Sequence, residues 1–245
     1  MTKTDLISGF SEEETQRVIT HIERLMPHLN LSKIIVVGGL AIRYHVYKAG
    51  LDNHFGDVND LDLVAYNYQA VNPSVVKDFM IYHIHPPRKE DGLFYIVLVD
   101  PVSKVKVDIF SPNAWEETIK VKFGDYDLKV AAVEDQLVKT TLDINRISEE
   151  AHVDPKQFAE MKVLAQIADM EKANIIWQSR HFSKYPNFLK DAIERAEKIA
   201  NEHPQWVQKH PFKRGAPYKC SYCVNTLEFP LTPMEKIFKQ LGYVE

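Results

Sequence analysis

The stretch Val36-Val37-Gly38-Gly39-Leu40-Ala41 decides the fold of this chain, because it places two glycines between an apolar run and a helix-forming segment. The apolar run at 33–37 suits a short buried strand, and residues 40–49 suit a helix. Glycine at such a junction lets a ligand approach the backbone, where the free N–H groups that open a helix attract negative charge. The sequence therefore predicts an anion-binding turn at Gly38 and Gly39.

Three aspartates follow this turn along the chain. Asp60 and Asp62 alternate in Asp60-Leu61-Asp62-Leu63-Val64, and Asp108 lies in Lys106-Val107-Asp108-Ile109-Phe110. Alternate residues of a strand share one face, so Asp60 and Asp62 should point the same way, and Asp108 on a neighbouring strand would complete a cluster. Such oxygen ligands suit two Mg²⁺ ions roughly 3.5–4 Å apart, which polarise a phosphoryl group, activate a hydroxyl and neutralise leaving pyrophosphate. We expect a two-metal phosphoryl-transfer site here.

The order of these elements resembles the signature of the nucleotidyltransferase superfamily with the DNA polymerase β-like fold: a glycine pair, an Asp-x-Asp on the next strand and a third acid on a later strand. The form of the glycine turn, followed by a long helix before the two aspartates, is most similar to the AbiEii-type and lincosamide-resistance-type branches. The resemblance covers about residues 30–145. It implies transfer of NMP from an NTP to an acceptor, with Asp60, Asp62 and Asp108 as metal ligands and Asp108 also as the base.

Two other nucleotide-binding classes are excluded by the same turn. The glycine pair is followed by no Gly-Lys-Ser/Thr, and the second and third glycines of G-x-G-x-x-G are missing. A P-loop and a dinucleotide-binding fingerprint both need those residues. The sequence therefore argues against a kinase and against a dehydrogenase.

The pattern of elements predicts an α+β fold, a nucleotidyltransferase core of a mixed sheet flanked by helices, over residues 1–130. Ser11-Glu12-Glu13-Glu14 opens a first amphipathic helix as a capping box, and a helix is expected from Pro73 through Met80. Two hairpins are predicted, one joining 93–99 to 105–110 and the other joining 118–123 to 126–130.

Near residue 131 the pattern changes to helices, predicted at 133–147, 156–172, 187–202 and 232–241. Residues 131–245 are therefore expected to form a helical C-terminal domain that closes over the nucleotide.

Lys139 is the candidate phosphate contact from this helical part. The segment 134–139 resembles the start of the helical domain in AbiEii-type enzymes, where a lysine at the matching place faces the nucleotide. The alternative is a lysine on a solvated helix face.

Two cysteines and two histidines near the C-terminus form a second candidate metal set, His203, His210, Cys220 and Cys223. Thiolates and imidazoles are zinc ligands, and four of them make a tetrahedral structural site. The spacing of the histidines matches no familiar zinc finger, so a pair of reduced thiols is the alternative.

Composition limits the classes of partner. The formal net charge of −4 argues against a protein that coats nucleic acid non-specifically, but it leaves a small RNA end open as acceptor. Cations and aromatics occur together over residues 209–219, which suits either an RNA backbone or a solvated loop packed on the helices. No apolar run approaches the roughly 20 residues that span a bilayer, and no secretory segment opens the chain, so we expect a cytoplasmic protein.

The acceptor is left open between an RNA end, a protein and a small molecule. Drug modification, in which AMP from ATP is placed on an antibiotic hydroxyl, is the alternative activity. A non-catalytic relative that binds a nucleotide or a partner protein is the alternative from another class. The sequence also leaves open an antidote protein or a second copy of the chain as partner.

Overall fold

The structure is a computed structural model that describes residues 9–51, 58, 60–85, 87, 92–111, 117–180 and 182–208. Within these ranges a seven-stranded mixed sheet is joined to a group of helices. The strands are β1 Ile34–Val37, β2 Asp60–Ala65, β3 Met80–His85, β4 Tyr95–Val99, β5 Lys106–Phe110, β6 Thr118–Phe123 and β7 Tyr126–Ala131. The helices are α1 Glu12–Leu25, α2 Gly38–Lys48, α3 Val133–Asn145, α4 Ile147–Glu150, α5 Pro155–Ile167, α6 Met170–Ser179 and α7 Leu189–Glu202.

The strand order is β3-β4-β5-β2-β1-β7-β6. β2 lies at the centre, antiparallel to β1 and parallel to β5, and β1 is parallel to β7 on its other side. This order brings the strand before the glycine turn next to the strand that carries Asp60 and Asp62. The predicted α+β class with a mixed sheet is confirmed.

Both predicted hairpins are present. β4 pairs with β5, and β6 pairs with β7, each in antiparallel register. β4 lies between β3 and β5, so the hairpin places a second strand beside Asp108.

Two large hydrophobic clusters support the sheet and the helices. One packs α1 against one face of the sheet, and the other fills the space among α3, α5, α6 and α7. Helix α2 belongs to both, since Leu40 and Ala41 pack in the first cluster while Ile42 and Val46 pack in the second. The glycine turn that opens α2 is thereby fixed between the sheet and the helices.

Two helix predictions are corrected. The helix expected from Pro73 through Met80 is a shorter 3₁₀ turn, Pro73–Lys77, and Met80 begins β3. The helix expected at 156–172 is two helices, because the side chain of Asp169 accepts hydrogen bonds from the backbone N–H groups of Glu171 and Lys172 and so starts α6.

The capping box at the start of α1 forms only in half. The Ser11 side chain accepts a hydrogen bond from the Glu14 backbone N–H at 3.2 Å. The Glu14 carboxylate, in contrast, pairs with Arg17 and accepts a hydrogen bond from the Val58 backbone N–H. Glu14 therefore ties α1 to the chain that leads into β2, which a local motif does not foresee.

Among the described residues, no helix has both the length and the apolar character that crossing a bilayer requires.

Candidate active site

The three predicted aspartates meet at the centre of the sheet. In the parallel pairing of β2 with β5, Asp62 lies directly beside Asp108, and Asp60 lies beside Lys106. Asp60, Asp62 and Asp108 each offer a carboxylate oxygen, and these oxygens lie within 4.8 Å of one another. Asp108 is buried and the other two are half-buried. The sequence prediction that these three side chains converge agrees with this geometry.

The glycine turn lies against this cluster. Val37, the last residue of β1, is the antiparallel partner of Asp62. Gly38 has φ +64°, and a Cβ atom on it would lie 2.1 Å from Oδ2 of Asp62. Only glycine leaves room for the carboxylate while adopting this left-handed conformation without strain. The backbone that opens α2 is thereby held next to the acids.

The acid cluster carries an electrostatic cost. Burial, followed by the nearby charges of Asp60 and Asp108, raises the pKa of Asp62 to about 7. Three carboxylates so close together repel one another, and a hard divalent cation removes that repulsion. The oxygen donor set, its spacing and its charge therefore fit Mg²⁺.

Two further side chains hold Asp108 in place. The hydroxyl of Tyr95 on β4 donates a hydrogen bond of 2.6 Å to Oδ1 of Asp108, and the ring of Tyr95 stacks on Phe110. The ammonium group of Lys106 lies 2.5 Å from Oδ2 of the same carboxylate. Both oxygens of Asp108 thus have a partner.

All three acids raise the pKa of Lys106. Its burial lowers the pKa, but the charge of Asp108 and its hydrogen bond, followed by the charges of Asp60 and Asp62, outweigh burial and raise the pKa above its usual value. The ammonium is therefore a stable cation inside the acid cluster.

A cleft of about 730 Å³ opens in front of the glycine turn and the acids. This volume lies within the roughly 300–1,000 Å³ of typical small-molecule sites. Its floor is the sheet, where Asp60, Asp62 and Phe110 face it, and its opposite walls come from α3 and the first turns of α5. The cleft therefore lies between the sheet and the helices.

Helix α3 presents one face to the cleft. Gln136, Lys139, Thr140 and Asp143 line it, at the spacing of successive turns. Lys139 forms an ion pair with Asp143, four residues later. Lys139 thus lies in the cleft wall, and its contact with a phosphate remains a prediction.

Lys156 is a second cation in the cleft, and no sequence motif singles it out. It lies in the first turn of α5. The side chain of Asp154, which caps this helix, accepts a hydrogen bond from the backbone N–H of Lys156. Its Nζ lies 3.7 Å from the position that a Cβ on Gly39 would occupy, and 3.5 Å from Oε1 of Glu160. The ammonium group of Lys156, which belongs to the helical part of the chain, therefore lies directly over the glycine turn.

Two buried donors at the cleft wall were also missed. Within the described ranges, Nε2 of Gln136 and Nε of Arg180 have no hydrogen-bond partner, although both side chains line the cleft. Arg180 is held by its ion pair with the buried carboxylate of Asp135. No sequence motif distinguishes these residues, because their burial depends on the packing of α3 against α6.

The predicted zinc set cannot be assembled from the described residues. His203 stacks on Trp206, with ring centroids 3.9 Å apart. His210, Cys220 and Cys223 lie outside the described residues, as do the cations and aromatics of 209–219 and the helix predicted at 232–241. Trp177 is buried in the helical cluster, where a large aromatic side chain contributes much apolar area. Zinc binding remains a prediction.

No family model matches the chain, and no curated protein matches it. Several solved structures resemble it at low identity. A nucleotidyltransferase-like protein from Paracoccidioides brasiliensis is 14% identical, with a TM-score of 0.43, over 82% of this chain and 95% of that chain. ANT(2'')-Ia in complex with adenylyl-2''-tobramycin is 10% identical, with a TM-score of 0.47, over 68% and 98% respectively. The Megavirus polyadenylate synthase is 10% identical, with a TM-score of 0.41, over 84% of this chain and 45% of its own.

Proposed function

We propose that this chain is a Mg²⁺-dependent nucleotidyltransferase that moves NMP from an NTP to an acceptor and releases pyrophosphate. The observation that carries the proposal is the pairing of Asp62 with Asp108 beside a glycine turn that only glycine can form. That arrangement combines the sequence signature of the superfamily with a clustered set of oxygen ligands, of which Asp108 is buried and Asp60 and Asp62 are half-buried. In this proposal residues 1–130 carry the chemistry, and the helices of 131–245 cover the nucleotide.

Asp60, Asp62 and Asp108 would hold two Mg²⁺ ions. When bound, these ions neutralise charge on the phosphates and activate the attacking group. The three carboxylates come from two adjacent strands, so their positions are fixed by the sheet rather than by loops. A stiff scaffold of this kind preserves the alignment that in-line attack requires.

The triphosphate would lie over the glycine turn. The N–H groups that open α2 attract phosphate oxygens, and Lys156 places its ammonium group above Gly39. Lys139 lies on the facing wall, paired with Asp143. These donors would stabilise the charge that builds on the departing pyrophosphate.

The acceptor would approach the side of the cluster that Asp108 occupies. Its hydroxyl proton would pass to the carboxylate of Asp108, while Tyr95 keeps this carboxylate in position through its 2.6 Å hydrogen bond to Oδ1. The base is thus oriented by a strand neighbour, as efficient proton transfer requires.

The test is a transfer assay with each of four α-labelled NTPs, offered with total RNA, with a panel of antibiotics and with protein substrates. We expect label to enter one acceptor class only when Mg²⁺ is present. Asp62→Asn should abolish this transfer, whereas Asp127→Asn, on the surface of β7, should retain it. Equal labelling by the wild-type protein and Asp62→Asn would refute the proposal. Label on an antibiotic hydroxyl would identify the drug-modifying alternative.

A further inference from the structure

Among the described residues, Lys106 is the only one that forms an ion pair with Asp108. It lies two residues before Asp108 on the same face of β5, and its cross-strand neighbour is Asp60. Its Nζ lies 2.5 Å from Oδ2 of Asp108. The Lys106 ammonium group thus lies where a divalent ion would contact the same carboxylates.

The partners of Asp108 divide its two oxygens between different kinds of group. Tyr95 is a neutral donor to Oδ1, held by its stacking on Phe110. Lys106 is a charged donor to Oδ2, on a flexible stem whose side chain is 38% exposed. A flexible, partly hydrated ammonium can return to solvent at small cost, whereas a stacked phenol stays in place.

We infer that Lys106 occupies the cation position of the acid cluster until a divalent ion displaces its ammonium group from Oδ2 of Asp108. The inference rests on the proposed function, because it concerns the metal site of that reaction. Lys106 is then a positioning residue: it keeps three like charges together in the metal-free protein. Loading of the site is an exchange of one cation for another.

The direction of the effect follows from charge. Without the ammonium, the metal-free carboxylates repel one another with less compensation, so the protein should be less stable. The same change removes a positive charge that opposes an incoming divalent ion, so the affinity for that ion should rise. A purely structural lysine would lower stability without tightening the binding of metal.

Lys106→Met tests this, because methionine keeps most of the apolar stem and removes the charge. Lys106→Arg keeps a positive charge. Lys122→Met is the matched control, since Lys122 also lies on a strand and pairs with an aspartate, Asp127, at 3.6 Å. Mn²⁺ affinity would be measured by electron paramagnetic resonance on the full chain without nucleotide, and unfolding by urea would be measured in EDTA.

We expect Lys106→Met to bind Mn²⁺ about tenfold more tightly than the wild type, as loss of one nearby opposing charge predicts. It should also unfold at lower urea in EDTA and gain more stability from Mn²⁺. Lys106→Arg and Lys122→Met should bind Mn²⁺ like the wild type. Unchanged or weaker Mn²⁺ binding by Lys106→Met would overturn the role of Lys106.

The proposed function has a separate readout, the transfer assay with wild-type protein. Transfer together with unchanged Mn²⁺ binding by Lys106→Met would refute only the role of Lys106. Absence of both transfer and Mn²⁺ binding in the wild type would refute the metal site itself, and the role of Lys106 with it.

Discussion

Gly38 and Asp62 lie so close that a methyl group on the glycine would occupy the position of the carboxylate, 2.1 Å from Oδ2. Gly38→Ala therefore forces both a strained φ of +64° and a displacement of the central acid. We expect a loss of about 3 kcal/mol in the free energy of unfolding, from left-handed strain and overpacking together. Transfer should be lost as well.

Gly39→Ala is the matched control for this turn. Among the described residues, a Cβ at Gly39 would meet only Nζ of Lys156, at an ordinary contact distance of 3.7 Å. Its free energy of unfolding should stay within about 1 kcal/mol of the wild type. Urea denaturation of both variants checks the pair, and equal stability of the two would contradict the packing described for Gly38.

Asp62→Asn should separate stability from activity. Asp62 lies between Asp60 and Asp108, and the asparagine removes one of three mutually repelling charges. In EDTA we expect the variant to be as stable as the wild type or more stable, while transfer falls by at least about a thousandfold because a proposed metal ligand is lost. Thermal unfolding and single-turnover rates measure the two effects. A variant that unfolds more easily in EDTA would show that Asp62 is structural.

Lys156 and Lys139 offer a direct comparison of the two lysines that face the cleft. Lys156 lies over Gly39 and pairs with Glu160 at 3.5 Å, whereas Lys139 pairs more closely with Asp143. We expect Lys156→Met to raise the KM for NTP by about tenfold, as for a lost charge-assisted phosphate contact. Lys139→Met should change KM less. Steady-state kinetics with varied NTP gives both values, and a larger effect at Lys139 would restore the role assigned to it by sequence resemblance.

A buried histidine behind the sheet predicts the pH dependence of stability. Nδ1 of His21 lies 3.3 Å from Oδ2 of Asp100. Burial lowers the pKa of His21 to about 4; the hydrogen bond and charge of Asp100 oppose this shift, and the charges of Arg17 and Arg24 reinforce it. The folded protein therefore keeps His21 neutral when the unfolded chain has already bound a proton.

The sign of the effect follows from that difference. The stability from neutral His21 is fully present above the unfolded pKa of 6.5 and is lost as the pH falls toward 4. The loss should reach about 3 kcal/mol. Urea denaturation at pH 7, 5.5 and 4.5 would measure it in the wild type and in His21→Leu, whose stability should fall less over this range. Parallel curves for the two proteins would contradict the shift.

The central acids could be predicted from the sequence because their evidence is local. Alternation fixes that Asp60 and Asp62 share a face, and the order of strands and glycines predicts their neighbours. Tyr95 could not be selected in the same way, because its contact with Asp108 depends on the register of β4 against β5, which no short pattern specifies. Alternation does put Lys106 on the face of Asp108, but its proximity to Asp60 depends on the register of β5 against β2.

Prediction from the sequence is limited in the same way for the helical part of the chain. The helix expected at 156–172 breaks at Asp169, because an aspartate within an apolar pattern competes for the backbone as a cap. Lys156 could not be selected from a local pattern, because its place in the cleft depends on its proximity to Gly39, more than a hundred residues earlier. Contacts between distant segments, rather than local periodicity, determine which cations face the cleft.

Helix α2 joins both hydrophobic clusters, and this has a consequence for dissecting the chain. Its residues Ile42 and Val46 are covered by helices that come much later in the sequence. A truncated fragment that stops at residue 130 would leave this apolar stripe facing water, directly after the glycine turn. Such a fragment should therefore aggregate or lose the turn geometry, so the reaction must be studied on the intact polypeptide.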